Sequence, residues 1–103
     1  MKLYFANPFF NDGVNVTVRR GVKWSLATGE VPIVDVDSGA EVGTAKITGC
    51  KVKRLCDITA SDVENEHDPA CRCWIGLLAE MRKLYGCDFD ENEIVTILEF
   101  TIV

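Results

Sequence analysis

Asn15, Thr17 and Arg19 alternate with Val14, Val16 and Val18, in a run that continues through Arg20 to Lys23 and Trp24. A strand turns successive side chains to opposite faces, so an amide, a hydroxyl and a guanidinium stand in one row. The valines form the opposite, core-directed face. Arg20, Lys23 and Trp24 lie just beyond, adding two cations and a flat ring. Two readings stay open: an ordinary solvated strand face, or the floor of a pocket for something flat, polar and anionic.

Two further groups have the residue types of a metal site. His67, Cys71 and Cys73 give H-x3-C-x-C, three conceivable zinc ligands, but the spacing fits no common structural zinc site and no C-x-x-C pair accompanies it. Asp88, Asp90, Asn92 and Glu99 imitate a calcium loop, yet Glu93 stands where that loop needs glycine. No metal and no cofactor are expected. His67 alone fits a base or a ligand, and equally a surface or capping residue ahead of a helix. The five cysteines, an odd number, suit free thiols in a reducing compartment.

The elements that must position these residues follow from pattern. Lys2 to Phe5 reads as a short strand broken by Asn7-Pro8, with Phe9-Phe10 directed to the core or a pocket mouth. Asn11-Asp12-Gly13 is a turn, and Val14 to Arg20 the next strand. V-P-I-V-D-V at 31–36 is a strand whose Pro32 places it at an edge or at a strand start. Asp37-Ser38-Gly39 turns it into a long return strand from Glu41 to Arg54, with bends expected near Gly43 and Gly49. T-A-S-D at 59–62 opens a short helix over Ala60 to Glu66, and Asp68-Pro69 signals a second. Trp74, Leu77, Leu78, Met81 and Tyr85 recur at helical spacing and are assigned to the core, with Gly86 as the stop. Glu93 to Val103 closes the chain as a central strand. Strands on both sides of a helical insertion predict a small, partly closed barrel with helices at one end, a mainly β member of the α+β class.

Composition narrows the functional classes. The 103 residues suit one domain, 1–103, with a modest core. No apolar run approaches the roughly 20 residues that span a bilayer, and the N-terminus lacks the apolar stretch of a signal peptide. A cytoplasmic location without membrane contact is expected. The net charge of −5 argues against a broad grip on nucleic-acid phosphates. It is unevenly spread: residues 1–54 carry +3 and residues 55–103 carry −8. A local basic site is compatible with that division, since salt screens charges beyond about 8 Å.

The chain resembles the ASCH domains, members of the PUA-like β-barrel group. The resemblance covers nearly the whole length. It is carried by V-T-V-R-R at 16–20, T-G-E-V-P-I-V-D-V at 28–36, L-C-D-I-T-A-S-D-V-E-N-E-H at 55–67 and the closing L-Y-G and I-V-T-I-L-E-F. It implies a partly closed barrel with two inserted helices, and a cleft beside the early strand that binds RNA or modified nucleosides. On that reading Arg19, Arg20 and Lys23 meet phosphate or ribose, Trp24 stacks, and Asn15, Thr17 and Glu66 read base edges, with His67 beside them.

One branch of the family hydrolyses the amide of N4-acetylcytidine with a Lys, a Thr and a Glu. Thr17, two residues before Arg19, and Glu66, in E-N-E-H, match two of these positions. The lysine does not carry over: Asn15 stands two past Gly13, and Val14 three before Thr17. A threonine hydroxyl is a weak nucleophile without a base, and Lys23 is the nearest substitute in sequence, with Glu66 another. Binding module and amidohydrolase therefore remain alternatives. A third is a protein-interaction module that docks a partner on its acidic helices.

Overall fold

The computed structural model describes residues 1–103, in which five strands form: β1 (Leu3–Phe5), β2 (Val14–Arg20), β3 (Gly29–Asp35), β4 (Glu41–Arg54) and β5 (Ile94–Ile102). They bond in the order β1-β3-β4-β5-β2. Only β1 and β3 run parallel; the other neighbours are antiparallel. The long β4 bends at a register shift between Ile47 and Gly49, and the β3–β4 ladder shifts between Ile33 and Val34, opposite Gly43. Extra residues at such points increase local twist, which curls the sheet into a half-barrel. Its two edge strands, β1 and β2, are brought near one another without pairing.

Each face of the curled sheet buries a separate core. Inside the curl lie Leu3, Phe5, Trp24, Val31, Ile33, Ala45, Ile47, Leu98 and Phe100. Outside it, Val16, Val18, Val95 and Ile97 pack under Leu55, Val63, Leu77, Met81 and Phe89 from the insertion between β4 and β5. That insertion holds α1 (Ala60–Val63), α2 (Trp74–Tyr85) and two 3-10 turns, Leu55–Asp57 and Pro69–Arg72. No helix is long and apolar enough to cross a membrane.

Several expectations shift. β2 is buried on both faces rather than half-buried. Register pairs Asn15, Thr17 and Arg19 with Phe100, Leu98 and Thr96, so the polar row points into the curl, not to solvent. Val14, expected in the core, is 40% exposed. Pro32 lies on an internal strand, but β1 pairs with β3 only from Ile33 onward, so on that side Pro32 is at the sheet margin. The first helix stops at Val63, short of Glu66. Asp68 begins a 3-10 turn before α2, its carboxylate accepting the Ala70 N–H at 3.0 Å. Trp74 belongs to the surface, because α2 turns Leu77 and Met81 inward instead.

Two close contacts fix the insertion. A Cβ at Gly76 would lie 1.9 Å from the Ala70 carbonyl oxygen, so only glycine lets α2 start against the preceding turn. The Asp62 carboxylate, 3% exposed, accepts from Lys53 Nζ at 2.6 Å, Lys51 Nζ at 3.3 Å and the Thr59 N–H at 2.9 Å. Burial opposes its ionisation, but these donors outweigh burial and hold the carboxyl well below its usual range. A carboxyl depressed in the fold stabilises above its unfolded pKa of 3.8 and loses that contribution as pH falls further. Asp62→Ala should therefore cost about 2 kcal/mol in urea unfolding at pH 7. The gap between variant and parent should narrow below pH 4.

Candidate functional site

β2 would be a bare edge but for a short stretch that follows α1. The Val16 N–H donates to the Asn65 carbonyl at 2.9 Å, and the His67 N–H to the Val16 carbonyl at 3.0 Å, which makes a one-residue parallel bridge between Val16 and Glu66. The bridge places Glu66 and His67 in the gap between β1 and β2. By the alternation of an antiparallel edge, Val18 turns its N–H and C=O the same way as Val16. At that level the gap is a cavity of about 290 Å³. Thr17, Val18, Arg19, Glu66 and His67 line one side, with Tyr4 and Phe5 of β1 and Leu77, Met81, Leu84 and Tyr85 of α2 completing it.

Arg19 closes the gap electrostatically. Its Nη1 donates to the Tyr4 carbonyl at 2.7 Å, and the guanidinium lies 4.6 Å from the centre of the Phe5 ring. Its Nε is buried without a hydrogen-bond partner. Burial lowers the Arg19 pKa, while the charges of Tyr85 and Glu66 raise it.

Glu66 and His67 hold one proton between them. His67 Nδ1 faces the Phe9 carbonyl at 3.1 Å, and a carbonyl only accepts, so Nδ1 carries its hydrogen. Nε2 then meets Glu66 Oε1 at 3.3 Å, with side chains 8% and 3% exposed. Burial raises the Glu66 carboxyl to about 8, against the Asp68 N–H and the charges of Arg19 and Arg72. Burial also lowers the His67 pKa below its usual value. Both directions put the proton on Glu66, giving a neutral acid beside a neutral imidazole at pH 7. Cys71 lines the same cavity, and burial chiefly, with the Glu66 charge next, pushes its thiol up to about 12, too high for a nucleophile at neutral pH.

The structure separates the other residues of the sequence set. Asn15 is fully buried and does not face the cavity: its Oδ1 accepts the Asn11 N–H at 2.7 Å and its Nδ2 donates to the Asn11 carbonyl at 3.0 Å. Trp24 is 7% exposed, its ring committed to the inner core, so no base can stack on its face. Lys23 does not line the cavity of Thr17 and Glu66. It borders a second pocket of about 240 Å³ with Lys2, Tyr4, Arg19, Arg20, Trp24 and Tyr85. Arg20 is there too, 2.9 Å from Glu93. No three His, Cys, Asp or Glu side chains are placed to hold one metal ion.

Sequence reasoning missed the residues that hold Glu66. Arg72 Nε donates to the Glu66 carbonyl at 2.9 Å, and its Nη2 to Asn11 Oδ1 at 3.0 Å. Asn11 Nδ2 donates to the Asn65 carbonyl at 3.1 Å. Nothing in the spacing of these residues announces that they meet: the Asn11 contacts span 54 and 61 positions, and the six from Glu66 to Arg72 fit no helix or strand period.

No family model matches the chain, and no curated protein does. Among solved structures it is similar to an ASCH domain from Lactobacillus crispatus, with a TM-score of 0.64 and 11% identity over 85% of this chain. It is also similar to a DUF984 protein from Enterococcus faecalis, with a TM-score of 0.60 and 13% identity over 86%. The chain spans 63% of the length of each. At such identity the likeness is one of fold.

An acid kept neutral by burial makes stability depend on pH. Unfolded Glu66 ionises near 4.5 and folded Glu66 near 8, so the unfolded state loses its proton first. Stability should fall as pH rises across that window, by up to about 5 kcal/mol. Urea titrations at several pH values should show the decline in the parent, and its loss in Glu66→Gln. The five strands, two helices and sheet order, with the solved structures they match, give this chain an ASCH-like α+β fold.

Proposed function

We propose that the chain binds RNA or a modified nucleoside, with one base held in the cavity beside β2. The observation that carries this reading is the composition of that cavity: apolar walls around a few polar groups on one side. Phe5, Leu77, Met81 and Leu84 supply the walls, while Thr17, the Val18 backbone edge and Glu66 supply donors and acceptors. Glu66 Oε1 already meets His67 Nε2 and the Asp68 N–H, so Oε2 is the oxygen left to meet the exocyclic edge of a pyrimidine. Burying a flat ring against such walls, with a few polar contacts for orientation, is how small-molecule pockets gain both affinity and specificity. The domain likeness supports the same ligand class only by analogy of fold.

A second reading rests on Thr17 and Glu66 lining the same cavity. In it the Thr17 hydroxyl attacks the amide carbonyl of an N4-acylated cytidine and passes its proton to ionised Glu66. Arg19 stabilises the oxyanion, Glu66 returns the proton to the leaving N4 amine, and water then releases the acyl group from Thr17. The base must be ionised, so turnover would rise with pH through about 8. Lys23, bordering the other pocket, has no part in this scheme.

The test is an NMR titration with N4-acetylcytidine, followed for hours in one tube. Shifts at Thr17, Arg19 and Glu66 without turnover support binding. Cytidine and acetate appearing in parent but not in Thr17→Val support hydrolysis. No shift in that cavity overturns both. Binding by neutral Glu66 also predicts that Glu66→Gln keeps parental affinity at pH 7 while Glu66→Ala loses about tenfold, one good hydrogen bond. Parent affinity should weaken above pH 8, and Glu66→Gln affinity should not.

A further inference from the structure

The second pocket shares Tyr4, Arg19 and Tyr85 with the base cavity, so the two adjoin on either side of these residues. Their chemistry differs sharply. The first has mostly apolar walls with Arg19 and the acidic residues Glu66, Asp68 and Glu80, whereas the second is ringed by Lys2, Arg19, Arg20 and Lys23 with no acidic residue. In a protein of net charge −5 this is a concentrated positive site. Two of its cations have partners at the surface: Arg20 with Glu93 at 2.9 Å and Lys2 with Glu41 at 3.5 Å. Such exposed pairs are weak and exchange readily. Lys23 is exposed and makes no ion pair. The buried, unpartnered Nε of Arg19 stands at the junction, where an acceptor oxygen from a ligand would satisfy it.

We infer that the second pocket is a phosphate subsite, so that the ligand is a phosphorylated nucleotide or an RNA chain rather than a free nucleoside. This rests on the base cavity proposed above. The base enters beside Glu66, the sugar crosses Arg19, and the adjoining phosphate meets Lys23, with Arg20 and Lys2 turning from their carboxylates toward it. One unpaired lysine and two exchangeable cations suit one phosphate, not a long backbone. That is consistent with the acidic second half of the chain, which repels an extended strand.

Calorimetry and NMR with cytidine, its 3′- and 5′-monophosphates and the dinucleotide CpC test it. At low salt at least one phosphorylated ligand should bind about tenfold tighter than cytidine. The advantage should fall toward unity in 0.5 M salt and in Lys23→Ala. A free monophosphate that gains as much as CpC identifies a nucleotide ligand; a gain confined to CpC identifies an RNA chain. Cytidine binding with no gain for any phosphate overturns the subsite and leaves the base cavity standing. If no nucleoside or nucleotide shifts the cavity residues, the base reading falls. Inorganic phosphate then decides the subsite alone, by shifts at Lys23 and the Trp24 indole that Lys23→Ala abolishes or by their absence.

Discussion

A curled sheet whose two edges fail to pair must still satisfy the groups those edges expose, and most of this structure answers that constraint. At one level the Asn65–His67 stretch lies on β2 and takes up the Val16 N–H and C=O. At another, Arg19 spans the gap to the Tyr4 carbonyl. Between them part of the edge stays open, and that opening is the cavity. The fold therefore does not carry a pocket as an addition. The pocket is the portion of an unclosed barrel that backbone pairing leaves unfilled.

The same constraint explains why an acidic residue is buried there. Glu66 enters the gap because its neighbours supply the backbone bridge to Val16. Its carbonyl is held by Arg72 and its carboxyl by the Asp68 N–H and the His67 contact. An ionised carboxylate in that position would oppose burial, and Arg19 is already engaged with Tyr4 and Phe5. Protonation is the cheaper solution. The result is an uncharged polar group in a cavity whose walls are mostly apolar.

The sequence made the strands legible because their patterns are local. Val14–Arg20 and Glu41–Arg54 match their observed bounds, and the bends near Gly43 and Gly49 coincide with the register shifts. Alternation could show that Asn15, Thr17 and Arg19 share a face, but not where that face points. The valine row suggested one core, and only the second, inner core turns the polar row inward. Asn15 shows why: a buried amide tying down its own turn has the same pattern as an exposed reader of bases. Trp24 shows the same limit, since a lone aromatic after a basic pair has the pattern of a stacking platform whether or not an inner core claims it. Trp74 failed differently, as one helical turn can begin on the stripe and still end in solvent. The meeting of Asn11, Asn65 and Arg72 had no sequence signal at all.

The joining of the early turn to the late insertion also has a kinetic meaning. Asn11 reaches Asn65 across 54 positions and Arg72 across 61. Contacts that close so long a loop form late in folding, after the hairpin of β3 and β4 and the helices have assembled from nearer neighbours. The β2–β5 ladder closes a longer loop still, from Val14 to Thr101, so a partly folded chain can own its β3–β4 hairpin and its helices and lack both β2 and the cavity. A ligand held there would act mainly by slowing the unfolding of the finished molecule, with little effect on how fast it forms.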